Sequence, residues 1–205
     1  MKNLIIFDFD GVLVDSLDFW FVINKSAAAL VGKRLTKQKY LQSFLGNIHS
    51  GLRDGLKLNA KEAVEFSKQK IKLIKMAYNP NDVKFFSFAP ELIRQLSKKY
   101  DLCIVTSSPE PAVRSLLKGK RLENNFKKIY GLNKFGKRHI LKVLLKKYLS
   151  KKVLFVTDTI GDVKEGKAVG VFTVAVGWGF HKPKELKTAK PDEIILKPNQ
   201  FRRIF

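Results

Sequence analysis

Two aspartates one residue apart, Asp8 and Asp10, follow directly on the apolar run Leu4-Ile5-Ile6-Phe7. Such a run reads as a buried strand. In an extended chain, residues two apart point the same way, so both carboxylates face one side. Like charges that close repel unless a cation or a shared proton relieves them. The pair is costly as decoration and useful as chemistry. One carboxylate can act as a nucleophile, and its neighbour can shuttle a proton or help hold a metal. A second acidic group, Asp158, Asp162 and Glu165, also begins where an apolar run ends, here Val153-Leu154-Phe155-Val156-Thr157. The chain carries 40 Lys+Arg against 18 Asp+Glu, a net charge of +22, so the placement of its few acids is informative.

Positioning these groups requires strands that end together. Apolar runs predict strands at 4–8, 102–106, 128–131, 153–158 and 171–176, with a last short one at 193–196. Helical patterns separate them: 89–100, a helix opened by Pro109 and Pro111, Lys137–Leu149, and 162–168. Strands alternating with helices predict an α/β fold with a doubly wound parallel sheet. Residues 17–80 carry no strand signal. Phe19, Val22, Ile23, Ala27 and Leu30 recur at helical spacing, Leu41, Phe44 and Leu45 mark a second helix, and Ala63 to Met76 mark a longer basic one. Asn79-Pro80-Asn81-Asp82 breaks the pattern. The expected organisation is a core of residues 1–16 and 81–205, with a helical unit, 17–80, inserted after the first strand. Ligands of such sheets bind beyond the carboxyl ends of the strands. That rule gathers Asp8 and Asp10, Thr106 and Ser107, and Asp158 with Asp162.

The segment Asp-Phe-Asp-Gly-Val-Leu-Val-Asp-Ser, residues 8–16, resembles the first motif of the haloacid dehalogenase-like phosphatases. Thr106 at a strand end, Lys137 at a helix start and Asp158-Thr159-Ile160-Gly161-Asp162 resemble the remaining three motifs in order, and the helical insert resembles the family's cap domain. The resemblance implies that Asp8 attacks a substrate phosphorus and forms an aspartyl-phosphate. It implies Mg²⁺, held by Asp8, the backbone carbonyl of Asp10, Asp158 and Asp162, the last directly or through water; an all-oxygen site suits that ion. Asp10 would protonate the leaving oxygen and then deprotonate the attacking water. Thr106 would donate to a phosphoryl oxygen, Lys137 would neutralise charge, and backbone N–H groups near Gly11 and Ser107 would complete a phosphate cradle. Lys134 and Arg138 are rivals to Lys137, which is preferred because it opens the amphipathic helix.

There are departures from the family pattern. Thr157 stands where many relatives have Gly, and either crowds the metal site or points away. Ser107 stands where several have Asn. Trp20 replaces the cap histidine of the phosphoglucomutase branch, which argues against a sugar-phosphate mutase. Trp178-Gly179-Phe180 resembles a loop of phosphoglycolate phosphatase-like members, so phosphoglycolate is the first substrate expectation. Arg53, near His49 and in an inter-helix stretch, is a candidate for holding a second anionic group.

Composition sets limits. One cysteine, Cys103, rules out an internal disulfide framework and reads as a core residue. His49, His139 and His181 have no zinc spacing. Apolar runs are too short for a membrane span, and a cytoplasmic protein is expected. The lysines are dispersed, as on an ordinary surface or one that steers small anions. A nucleic-acid-associated protein is the alternative reading of the charge. The expected partner is a small phosphorylated substrate, with no membrane and no nucleic acid.

Overall fold

The computed structural model describes residues 2–77, 82–131 and 136–204. Its frame is one six-stranded sheet of β1 (Leu4–Phe7), β4 (Asp101–Val105), β5 (Lys128–Tyr130), β6 (Val153–Thr157), β7 (Phe172–Val176) and β8 (Glu193–Ile195). The order is β5-β4-β1-β6-β7-β8, with every pairing parallel. Alternation sends Ile5 and Phe7 to one face, where they pack with Ile93 of α5 (Ala89–Lys99) and Leu117 of α6 (Glu110–Gly119). Leu4 and Ile6 go to the other face, against Leu141 and Leu144 of α7 (Gly136–Lys147). Burial on both faces is why these strands read as unbroken apolar runs. Cys103 lies in that second core, buried and free.

The chain leaves β1, builds β4 and β5 on one side, then crosses to β6, β7 and β8 on the other. The crossover point is therefore at β1, whose register aligns Phe7 with Ile104 and Val156. The residues just beyond β4, β1 and β6 are Thr106, Asp8 and Asp158, so three neighbouring strands deliver them to one crevice.

Four helices among the described residues form a second core: α1 (Leu17–Leu30), α2 (Lys37–Gln42), α3 (Ile48–Gly55) and α4 (Ala60–Ala77). Ala27, Tyr40, Leu52 and Phe66 meet at its centre. The chain enters through β2 (Val14–Asp15) and returns through β3 (Lys84–Phe85), which pair antiparallel as a short ribbon. Two-residue strands carry no alternation, so this ribbon has no sequence signal. The helix α3 is likewise unannounced, because two glycines and a short span dilute its periodicity. It begins where Asn47 accepts hydrogen bonds from the N–H groups of His49 and Ser50. Arg53 therefore lies inside a helix, not between helices. Val22 and Leu30, on the predicted apolar stripe of α1, face outward at 57% and 59% exposure. The Asn79–Asn81 break lies outside the described residues.

This helical unit docks on the sheet unit along one edge. The Phe44 and Phe180 rings meet edge to face at 5.2 Å. Lys164 Nζ donates to the Leu45 carbonyl at 3.2 Å. Gly161, in the first turn of α8 (Ile160–Val169), lies so near the Gly46 carbonyl that a Cβ there would be 2.2 Å from its oxygen. His181 completes the seam: the Ile160 N–H donates to Nδ1 at 3.0 Å, and Nε2 meets the Leu41 carbonyl at 3.2 Å. The two bonds are satisfied together by the neutral ring with its proton on Nε2.

Candidate active site

Asp8, Lys137 and Asp162 form the floor of the crevice. Lys137 Nζ lies 2.7 Å from Asp8 Oδ2 and 2.7 Å from Asp162 Oδ2. The ammonium is supplied by the first turn of α7, and its side chain is only 9% exposed. Arg138, its described rival, is exposed, and Lys134 lies outside the described residues. Burial drives the Asp8 carboxyl well above the usual carboxylate range; Lys137 opposes that rise, and Asp162 and Asp158 reinforce it. Burial alone would also raise Asp162, but the charge of Lys137 and donated hydrogen bonds outweigh it and hold Asp162 low. For Lys137, burial disfavours the cation, and Asp162 and Asp8 reverse the sign.

Thr157 points toward the acids. Its hydroxyl donates to Asp162 Oδ2 at 3.2 Å, alongside Thr159 Oγ1 at 3.1 Å. Thr159 also caps α8 by accepting from the Asp162 N–H. Asp162 is thus a first-turn helix residue and a partner of Lys137 at once.

Asp10 is held by four donors. Ser16 Oγ and Trp20 Nε1 donate to Oδ1 at 2.7 and 2.6 Å. Ser108 Oγ and Thr106 Oγ1 donate to Oδ2 at 2.6 and 3.2 Å. Trp20 comes from α1, so one of the four donors belongs to the helical unit. Ser108 does not stand out in the sequence, and Trp20 does so only as a departure from the family pattern, not as a donor to Asp10. An indole N–H bonding across two units is invisible until the units are docked, and Ser108 is one serine of an adjacent pair.

Asp158 is fully buried in a slot made by two glycines. A Cβ at Gly11 would lie 1.9 Å from Asp158 Oδ2, and one at Gly179 would lie 2.3 Å from both Asp158 Cβ and Oδ2. Gly11 also has φ +71°, the left-handed region. This corrects its expected role. The Gly11 N–H donates to the Val14 carbonyl at 2.9 Å and is unavailable to a phosphate, and the residue serves Asp158 instead. Asp158 Oδ2 accepts from the Phe180 N–H at 2.7 Å, whereas Oδ1 is buried with no hydrogen-bond partner among the described residues. Burial raises the Asp158 carboxyl above its usual range, with the Phe180 N–H opposing.

That orphaned oxygen is where a cation fits. A buried carboxylate oxygen without a donor costs free energy, and a hard divalent ion beside Asp8 and Asp158 would relieve it. Among the described residues no three carboxylate, imidazole or thiol groups are gathered closely enough to hold an ion by themselves. The Lys137 ammonium pairs with both Asp8 and Asp162. The ligand set that fits is Asp8 and Asp158, completed by backbone and non-protein oxygens.

Above this floor lies a cavity of about 710 Å³ whose walls include Ser107, Thr106, Trp20, Arg53 and Lys70. Ser107 is exposed to it. Arg53 reaches it but pairs through Nε with Asp54 at 3.0 Å. Lys70, from α4, was not singled out in sequence. Burial lowers its ammonium to about 8, with Asp10 opposing. His49 is lowered by burial and then by Lys70.

A family model described as haloacid dehalogenase-like hydrolase matches residues 5–176. The chain belongs to that family. Among its relatives, a phosphoglycolate phosphatase of Aquifex aeolicus (strain VF5) is 25% identical over 97% of this chain and 94% of its own. A tyrosine-protein kinase, PtkA, of Mycobacterium tuberculosis (strain ATCC 25618 / H37Rv) is 29% identical over 87% of this chain and 63% of its own. A haloacid dehalogenase-like family hydrolase from Streptococcus pneumoniae superposes with a TM-score of 0.81 at 22% identity, covering 100% of this chain and 98% of that one. At that identity the structural likeness establishes the fold alone, and the parallel sheet with flanking helices is the family's core. Among the described residues no helix is long and apolar enough to cross a membrane.

Proposed function

We propose that this hydrolase is a phosphatase of small phosphorylated metabolites, with Asp8 as nucleophile and Mg²⁺ as cofactor. The observation that carries the reading is the buried Asp8–Lys137–Asp162 group at the floor of a cavity that also presents Asp10. Mg²⁺ bound beside Asp8 and Asp158 would gather negative charge on the phosphoryl oxygens.

Asp8 attacks the phosphorus, the ester oxygen leaves, and an aspartyl-phosphate forms. A proton from Asp10 goes to that leaving oxygen, so the alcohol departs neutral. Asp10 then takes a proton from the water that attacks the phosphorus, which regenerates Asp8 and releases phosphate. Lys137 opposes the rise that burial imposes on the Asp8 carboxyl and supplies positive charge beside the transferred group. Thr106 and Ser108 fix the carboxylate of Asp10 from the strand side, while Ser107 is free to meet a phosphoryl oxygen. Asp162 orients Lys137 and is itself fixed by Thr157 and Thr159.

Phosphoglycolate is the first candidate, supported by the names of several relatives that cover most of the chain. The +22 charge would draw any small anion toward the crevice. The test is phosphate release from a panel of phosphorylated metabolites, with Mg²⁺ and with chelator, using wild type and Asp8→Asn. Metal-dependent release that is lost in the variant supports the reading. Full activity in a folded Asp8→Asn protein overturns it.

A further inference from the structure

Of the lysines that line the cavity, one from each unit, only one is matched by carboxylates. Lys137, at the sheet end, is held between Asp8 and Asp162. On the helical wall, Lys70 is half-buried and lines the cavity with Trp20, His49 and Arg53. Its ammonium lies 5.9 Å from the centroid of the Trp20 ring. Among the described residues it has no carboxylate within 4.0 Å, whereas Arg53 on the same wall pairs with Asp54. Asp10 is the acid whose field reaches it, but both Asp10 oxygens already accept two hydrogen bonds each. An aromatic face attracts a cation but supplies no counter-charge. A cation withdrawn from water without an anion is unfavourable and is relieved by one that arrives. Its neighbour His49 is kept toward the neutral form and can donate or accept without adding charge.

We propose that Lys70, with His49 beside it, forms a subsite for a second anionic group, so that the substrate is a phosphomonoester with a further acid group at its far end. The phosphoryl group has its own cation at Lys137, which leaves Lys70 for the remote group. This replaces Arg53 as the anchor, because Arg53 already has a carboxylate partner. The volume, about 710 Å³, admits spacers longer than a single carbon between the two groups. Lys70 is thereby a specificity residue, acting on the remote end of the substrate.

The kinetic arm of the test rests on the phosphatase reading, and the binding arm does not. Kinetically, kcat/KM is measured for phosphoglycolate, 3-phosphoglycerate, a terminal bisphosphate and ethyl phosphate, which lacks the second anion. Wild type should prefer at least one diacid to ethyl phosphate by about tenfold or more, and Lys70→Met should erase most of that ratio through KM. Lys70→Arg, which keeps the charge, should retain most of it. The diacid preferred tells a carboxylate from a second phosphate. Equal losses on all esters through kcat, or no preference in wild type, would overturn the subsite.

For binding, the same compounds are titrated calorimetrically into Asp8→Asn, with and without Lys70→Met. Diacid binding that depends on Lys70 upholds the subsite even if wild type turns nothing over, in which case the phosphatase reading alone fails. Turnover without any dependence on Lys70 sinks the subsite and leaves the phosphatase reading standing.

Discussion

Replacing Gly161 by Ala sets two opposed terms against each other at the seam between the units. Gly161 sits in the first turn of α8, where alanine is the better helix former by up to about 1 kcal/mol. The added Cβ would lie 2.2 Å from the Gly46 carbonyl oxygen and 2.8 Å from that of Phe44. Both obstacles are backbone, so no side chain can swing aside, and the 44–46 loop must retreat by roughly 1 Å to restore contact. Overpacking of this kind costs about 1–3 kcal/mol. The clash wins, and a net loss near 1 kcal/mol corresponds to a Tm lower by about 2–4 °C in a chain of this length. The loop also carries the Lys164–Leu45 bond and the Phe44–Phe180 contact, so the retreat loosens docking beside Thr159 and Asp162. Differential scanning calorimetry of Gly161→Ala and Gly119→Ala is the assay. Gly119 closes α6 with nothing within 4 Å of its Cβ position, so only the helix term operates there. If Gly161→Ala raises Tm as Gly119→Ala does, the close approach is not present in solution and the docking described above is wrong.

Trp20→Phe keeps a ring beside Phe19 and Lys70 but removes the 2.6 Å bond to Asp10 Oδ1. Losing one hydrogen bond to a charged group, about 1.5–3 kcal/mol, should lower kcat roughly 10- to 100-fold in steady-state assays. Asp8→Asn should abolish turnover with an unchanged circular dichroism spectrum, and chelation should silence wild type until Mg²⁺ is restored. Burial depresses the His181 imidazole below its usual range, with the Leu41 carbonyl opposing. A base depressed in the folded state contributes stability that is present above the unfolded value near 6.5 and is lost as pH falls through the folded one. Tm measured between pH 7.5 and 5 should therefore fall more steeply for wild type than for His181→Gln; equal slopes would remove His181 from the seam.

The legibility of this chain follows distance along the sequence. An acid directly after an apolar strand is a local pattern, so Asp8, Asp10, Asp158 and Asp162 could be read together once a parallel sheet was inferred. Lys137 comes from the resemblance to the family's motifs, and the start of an amphipathic helix is what prefers it over Lys134 and Arg138. What failed to show depends on docking. α4 carries lysines at 61, 68, 70, 72 and 75, and nothing local distinguishes the one that faces the cavity. The bonds made by Trp20 and His181 have no local signal, because Asp10 and the Leu41 carbonyl are brought to them only by docking. The phosphate role expected near Gly11 comes from the resemblance, and the residue's contact with Asp158, 147 positions on, has no local signal. The outward turn of Val22 and Leu30 shows the same limit: periodicity finds a stripe, and packing decides how much of it is covered.

The glycine slot around Asp158 has a consequence for how the site comes into being. Its two walls, Gly11 and Gly179, lie near opposite ends of the chain, and the carboxylate between them belongs to a third segment. Synthesis delivers Asp8 and Asp10 first, the Lys137 ammonium well over a hundred residues later, and the second wall later still. Until β1 and β6 pair, the early acids lack their buried counter-cation and the slot has a single side. No fragment ending before residue 179 can seat Asp158 as the complete fold does. Catalytic competence should therefore be the last property gained in refolding, arriving with completion of the sheet rather than with collapse of either core.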